Sequence, residues 1–161
     1  MTMDGAARGR LAGRSRAGAT VSVCLAACVV LAPGLAGATL VEVAVTGVGQ
    51  ARGHVRVELC TRETFLTSDC PYTGQAPAMV GSTVVTVEAP PGEYAVQAFH
   101  DDTDQGVIHR NLLGLPRERI GFSNDAPLHV RGPRFKDAAI FVGAEVARIT
   151  LRLRHLFGGP N

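Results

Sequence analysis

The chain has no tryptophan, and aromatic residues make up only 5% of it. A core built from this composition has to be aliphatic, drawn from Val, Leu, Ile and Ala. No Cys-x-x-Cys occurs among the four cysteines, which argues against a catalytic cysteine pair. No stretch sustains helical periodicity and no internal repeat is evident, so long helices and solenoids are excluded. The longest uncharged apolar run, Val21 to Leu35, is shorter than the ~20 residues that a comfortable membrane span needs.

That run belongs to a patterned N-terminus. Arg8, Arg10, Arg14 and Arg16 precede it with a single acid, Asp4, and Ala36-Gly37-Ala38 closes it. Basic, apolar and small-residue regions in this order read as a cleaved signal peptide over residues 1–38. No two arginines are adjacent there, so a twin-arginine route is not indicated. Leu25-Ala26-Ala27-Cys28 offers a competing lipoprotein cleavage, but Val29 to Ala38 beyond it stays apolar. Membrane attachment is expected only if Cys28 is lipidated. The expected organisation is therefore a leader at 1–38, one domain at 39–157 and a short tail at 158–161. Its expected location is the periplasm or the medium.

Removing the leader changes the charge balance. Of 16 basic and 14 acidic residues, four and one leave with it, so the net charge of +2 becomes about −1, and the main reason to expect nucleic-acid binding disappears. Arg148, Arg152 and Arg154 alternate with Ile149, Leu151 and Leu153, as on the wet face of a strand. Cys24 and Cys28 leave as well. The remaining pair, Cys60 and Cys70, reads as a structural disulfide in an oxidising compartment. By the chain-entropy argument, closing its loop of about 11 residues stabilises by ~3 kcal/mol.

The remaining chain, about 120 residues, is one domain with a real core. Val41, Val43 and Val45 alternate with polar partners, as do Val55, Val57 and Leu59 against His54, Arg56 and Glu58. This period of two marks half-buried strands. Further strands are expected at 83–88, 94–99, 127–130, 135–142 and 147–154. Gly47 to Gln50 reads as a hairpin turn, residues 61–81 as irregular, and residues 101–125 as a long loop. About seven strands in this length predict an all-β fold, a single antiparallel β-sandwich of the immunoglobulin or transthyretin-like class.

Several motifs fall in a recognisable order. They are Pro91-Gly92-Glu93-Tyr94-Ala95-Val96, His100-Asp101, Gly106, Leu113-Gly114-Leu115-Pro116-x-Glu118, Gly121-Phe122-Ser123-Asn124, and Gly132-Pro133-x-Phe135-x-Asp137-Ala138. Over about residues 40 to 155 the chain resembles domain-of-unknown-function family 2141, small exported bacterial proteins. The resemblance implies export and a small β-sandwich, and it supplies no reaction. In that family the acidic loop usually reads His-Asp-x-Asn-x-Asn-Gly-x-x-Asp. Here Thr103, Gln105 and His109 replace the two Asn and the last Asp, removing oxygen ligands that calcium takes.

The chemistry-bearing stretch is His100 to His109, with Asp101, Asp102 and Asp104 between. Calcium is one candidate occupant, although no Glu completes an EF-hand. Zinc on His100, His109 and the intervening carboxylates is a second. The structural alternative has the three Asp residues accepting backbone N–H bonds in turns, His100 bonding a carboxylate, and Gly106 supplying a positive φ. Ser123 in Gly121-Phe122-Ser123-Asn124 matches a nucleophile elbow only in part and reads as a turn residue. Arg117-Glu118-Arg119 offers an anion site, although such a cluster is more often simply solvated. The expectation is an exported, non-enzymatic binding or structural module with no required cofactor and an unknown protein or small ligand as partner. The competing reading is a metal-assisted hydrolase using His100, Asp101 and His109.

Overall fold

Apolar alternation along the chain resolves into two facing sheets. The structure, a computed structural model, describes residues 37–155 except 111, 113–115, 128 and 130. Residues 1–36 of the expected leader and the tail at 158–161 lie outside the described residues. The strands are β1 (Thr39–Val48), β2 (His54–Cys60), β3 (Tyr72–Pro77), β4 (Gly81–Ala89), β5 (Gly92–Asp101), β6 (Ile120–Phe122), β7 (Ala139–Val142) and β8 (Ala147–Arg152). A single 3-10 turn at Ser123–Asp125 follows β6, and one four-residue helix, α1 (Phe135–Ala138), precedes β7. No helix among the described residues is long and apolar enough to cross a membrane.

One sheet runs β4-β1-β8, and the other runs β3-β2-β5-β6 with β7 also on β5. Their facing sides meet in an aliphatic core. Val41, Val43 and Val45 of β1, Val85 and Val87 of β4, and Leu151 of β8 pack toward Val55, Val57, Leu59 and Val96. The all-β sandwich expected from the alternation is therefore present, with eight strands among the described residues rather than about seven. One pairing departs from the antiparallel expectation, because β8 lies parallel to β1, with Val43 opposite Ile149. Parallel neighbours need a long crossover, and here nearly the whole domain supplies it.

Other differences have local causes. Gly47 to Gln50 does not form a hairpin, because β1 and β2 belong to different sheets and the turn carries the chain between them. The irregular segment contains β3, which pairs with β2 from Tyr72 opposite Leu59 to Pro77 opposite His54. Its Gly and Pro residues hid it, and as an edge strand it tolerates both. The long loop ends in β6, three residues recruited by β5. Pro127 and His129 lie outside any strand. The segment 135–142 divides into α1 and β7.

β5 is buried on both sides. Tyr94, Val96 and Ala98 face the sandwich core. Ala95 and Phe99 face a second cluster, with Ile120, Phe122, Phe135 and Ala138, against which Phe65 and Leu66 pack. Phe65 meets Phe122 and Phe135 edge to face, at centroid distances of 5.7 and 5.8 Å. The loop that supplies Phe65 is pinned by the Cys60–Cys70 disulfide, as the spacing implied. Ser123, buried between these layers, accepts a hydrogen bond from the Val96 amide at 3.0 Å and donates to the Ala138 carbonyl. It therefore ties β5 to α1, a longer-range role than the local turn expected of it.

Gly53, entering β2, has φ of +68°, and a Cβ there would strike the backbone of Asp101 and Asp102. Gly81 has φ of +91° with open space around it. Gly81→Ala is expected to cost about 1 kcal/mol through φ alone, whereas Gly53→Ala must also displace backbone. Urea denaturation should show Gly53→Ala as the more destabilising by at least ~1–2 kcal/mol. Equal losses would refute the close approach.

Candidate functional site

The segment from His100 to Arg119 is the connection of an antiparallel pair. Phe99 lies opposite Ile120, and the His100 amide extends the ladder by donating to the Arg119 carbonyl at 3.1 Å. Farther out the connection folds on itself a second time. The Arg117 amide donates to the His109 carbonyl at 2.9 Å, and Arg110 bridges to Pro116.

Asp101 anchors this loop. The residue is 1% exposed, and its carboxylate accepts from Arg56 Nε at 2.7 Å, from the Gly106 amide at 2.7 Å and from the Gln105 amide at 3.1 Å. Burial by itself would raise the Asp101 pKa. The Arg56 guanidinium and the two amides outweigh it and hold the carboxyl below its ordinary value. The turn that brings those amides round uses Asp104 at φ of +55° and Gly106 at +75°. The positive φ expected of Gly106 is thus observed, and Gly106 sits over the Arg56 guanidinium.

The other residues of the acidic stretch are held separately. Asp102 accepts from Arg52 at 2.7 Å and from Gln50 at 3.1 Å. Asp104 pairs with His54 at 2.6 Å. His100 points away from the carboxylates and donates Nε2 to the Arg52 carbonyl at 2.8 Å, contrary to its expected bond to an Asp. His109 donates its backbone amide at 3.0 Å and Nδ1 at 2.7 Å to one oxygen of Glu118, while Nε2 meets Gln105 at 2.8 Å. Of the three Asp residues, only Asp101 has the backbone N–H partners expected of all three.

His100, Asp101, Asp102, Asp104 and His109 are neighbours in sequence, but their side chains diverge to different partners. Among the described residues, the one group of three potential ligands within 4.8 Å of one another is Glu58, Cys60 and Cys70, and its two sulfurs are joined to each other. Glu118, Gly121, Ser123 and Asn124 are likewise spread out. Glu118 closes the loop, Ser123 is internal, and Asn124, at φ of +57°, donates to the Ala139 carbonyl at 3.0 Å. Gly121 faces the Arg152 backbone so closely that a Cβ would not fit.

The loop separates two clefts. The first, about 480 Å³, lies on the outer face of the five-stranded sheet. Phe99, Ile120 and Phe122 contribute apolar floor, Leu66 and Val107–Ile108 form walls, and Glu58, Gln97, His129 and Arg131 add polar groups. Burial pushes the Glu58 carboxyl above its ordinary pKa, against the opposing pull of the Gln97 amide and Arg56. The second cleft, about 660 Å³, is lined almost wholly by polar residues, including His109, Arg117, Glu118 and Arg119. Alternation announced the sheet face beneath the first cleft. Its walls come from segments with no periodicity, which is why Leu66, Val107 and Ile108 were not foreseen.

Fold and loop together define a small β-sandwich protein carrying ligand-sized clefts on either side of one anchored connection. Residues 43–150 match the family described as "Uncharacterized protein conserved in bacteria (DUF2141)", and the chain belongs to that family. No curated protein matches the chain, and no solved structure does.

Because its folded pKa is lowered, Asp101 stabilises the fold fully above its unfolded value, and that contribution is lost as the pH falls through the folded value. Asp101→Asn is expected to destabilise by about 2–4 kcal/mol at neutral pH, since it weakens a buried ion pair and leaves amide donors poorly matched. Urea titrations should show the gap to the parent protein shrinking as the pH drops below about 4. A gap independent of pH would contradict the assignment.

Proposed function

We propose that this protein is an exported, non-enzymatic binding module of the periplasm or cell surface, and that the apolar cleft receives a small ligand. The observation that carries the reading is the cleft itself. Its volume falls in the range of small-molecule sites, and its make-up, an apolar floor with a few convergent polar groups, is the usual one. Glu58 and Gln97 at its base give a ligand something to orient against, and the apolar walls supply the burial. In this reading the carboxylates of the acidic loop are structural, because each is already engaged by donors from the protein.

Export is supported by the order of basic, apolar and small residues before Thr39 and by the Cys60–Cys70 bond, which suits an oxidising compartment. Cleavage after Ala38 would free a chain starting at the first residue of β1. Thr39 is buried and donates Oγ1 to the Gly143 carbonyl at 2.8 Å, so the domain needs nothing N-terminal to it to complete that strand.

The cleft is tested with an environment-sensitive amphipathic dye such as anilinonaphthalene sulfonate. The folded protein should bind it saturably. Val107→Asp, at a wall residue that is 52% exposed, should weaken binding about tenfold, equivalent to ~1.4 kcal/mol, with the melting temperature unchanged. Non-saturable binding, or binding indifferent to the substitution, would sink the proposal. Intact mass of the protein recovered from its host should begin at Thr39, whereas an acylated Cys28 would replace the soluble form with an anchored one.

A further inference from the structure

Among the described residues, Oε2 of Glu118 is the only buried side-chain nitrogen or oxygen without a hydrogen-bond partner. The side chain is 9% exposed, and its other oxygen is occupied twice by His109. A buried carboxylate oxygen left without a donor is costly and calls for an explanation. Glu118 lines the polar cleft, and Arg117 and Arg119 line it from the adjacent positions. Arg119 is already oriented, donating to His155 at 3.1 Å and to the Gly47 carbonyl at 3.1 Å. Arg117 is exposed. The cleft thus offers strong donors beside one acceptor that lacks a donor.

We infer that this polar cleft binds a small oxyanion in a protonation state that still carries a hydroxyl, namely hydrogen phosphate or the monoanion of a phosphomonoester. The complementarity is specific. An oxyanion accepts from guanidinium groups in good geometry. A fully deprotonated anion such as sulfate has nothing to give Oε2 and meets the Glu118 charge unrelieved. Hydrogen phosphate accepts from Arg117 and donates its own P–OH to Oε2, which has almost no accessible surface in the empty cleft and turns toward it to receive the bond. At about 660 Å³ the cleft exceeds one phosphate group, which leaves room for an organic substituent. The site is independent of the apolar cleft and lies on the other side of the loop.

Titration calorimetry of the purified protein tests this with inorganic phosphate, sulfate and glycerol 3-phosphate at matched ionic strength. One phosphate per chain should bind at least about tenfold more tightly than sulfate, the discrimination of one charge-assisted hydrogen bond. Glycerol 3-phosphate keeps a P–OH only below about pH 6, so it should match phosphate at about pH 5 and bind more weakly than phosphate at about pH 8. Arg117→Ala changes an exposed residue, so it should keep the parent melting temperature and lose about tenfold in phosphate affinity. Glu118→Gln should bring the phosphate-to-sulfate ratio toward unity. Equal binding of the two anions, no binding of either, or a preference for phosphate that survives both substitutions would overturn the proposal.

Discussion

The geometry of the loop that follows β5 depends on one buried carboxylate. Asp101 leaves β5 pointing to the outer face of the sheet, where Arg56 of β2 meets it. Two amides from the following turn complete its shell. An ionised group this deep is stable only with such a full set of donors. The requirement acts in both directions, because satisfying the charge forces the chain into a tight reversal at Asp104 and Gly106. That reversal places Gln105 and Gly106 and directs the chain toward His109. The pairs Arg52–Asp102 and His54–Asp104 then fasten the turn along its length. They are more exposed than Arg56–Asp101, and exposed pairs add little stability individually. Their effect is on orientation.

Burial of β5 on both faces gives the two clefts their different chemistry. Its inner side belongs to the sandwich core and its outer side to the aromatic cluster under α1 and the disulfide-pinned loop. The apolar cleft is the part of that outer face the covering segments leave open. The polar cleft lies at the end of the sheets, where β1 turns toward β2 and where the loop returns. One side of the loop therefore meets sheet surface, and the other meets turns and chain ends. Val107 and Ile108 contribute to the first environment, while His109 and Glu118 contribute to the second.

Much of the sandwich was legible because its physics is local. Val41, Val43 and Val45 alternate whatever lies opposite them, and β2, β4 and β8 follow the same rule. The disulfide was legible from the count and spacing of cysteines. What escaped was set by partners far along the chain. β3 and β6 have weak strand character of their own and exist because β2 and β5 present free edges. The direction of β8 against β1 leaves no trace in composition. At the site, His100 to His109 stood out as a run of ligand-type residues, but sequence proximity does not specify where side chains point. His54, Arg56 and Arg52, which capture those carboxylates, lie about 50 residues earlier, and nothing in the pattern marks them as partners. Glu118 was visible as part of a motif, yet its unpaired oxygen is a property of the folded molecule alone.

The parallel pairing of β1 and β8 has a kinetic side. Arg148 reaches Glu42, 106 positions earlier in the chain, so the first of the described strands to be synthesised waits for the last before its sheet is complete. Contacts this distant slow the search for the native state. A nascent chain of this design stays open until its final segment emerges, whichever compartment it folds in. The delay leaves the valine-rich strands unprotected meanwhile, a demand that chaperones have to meet.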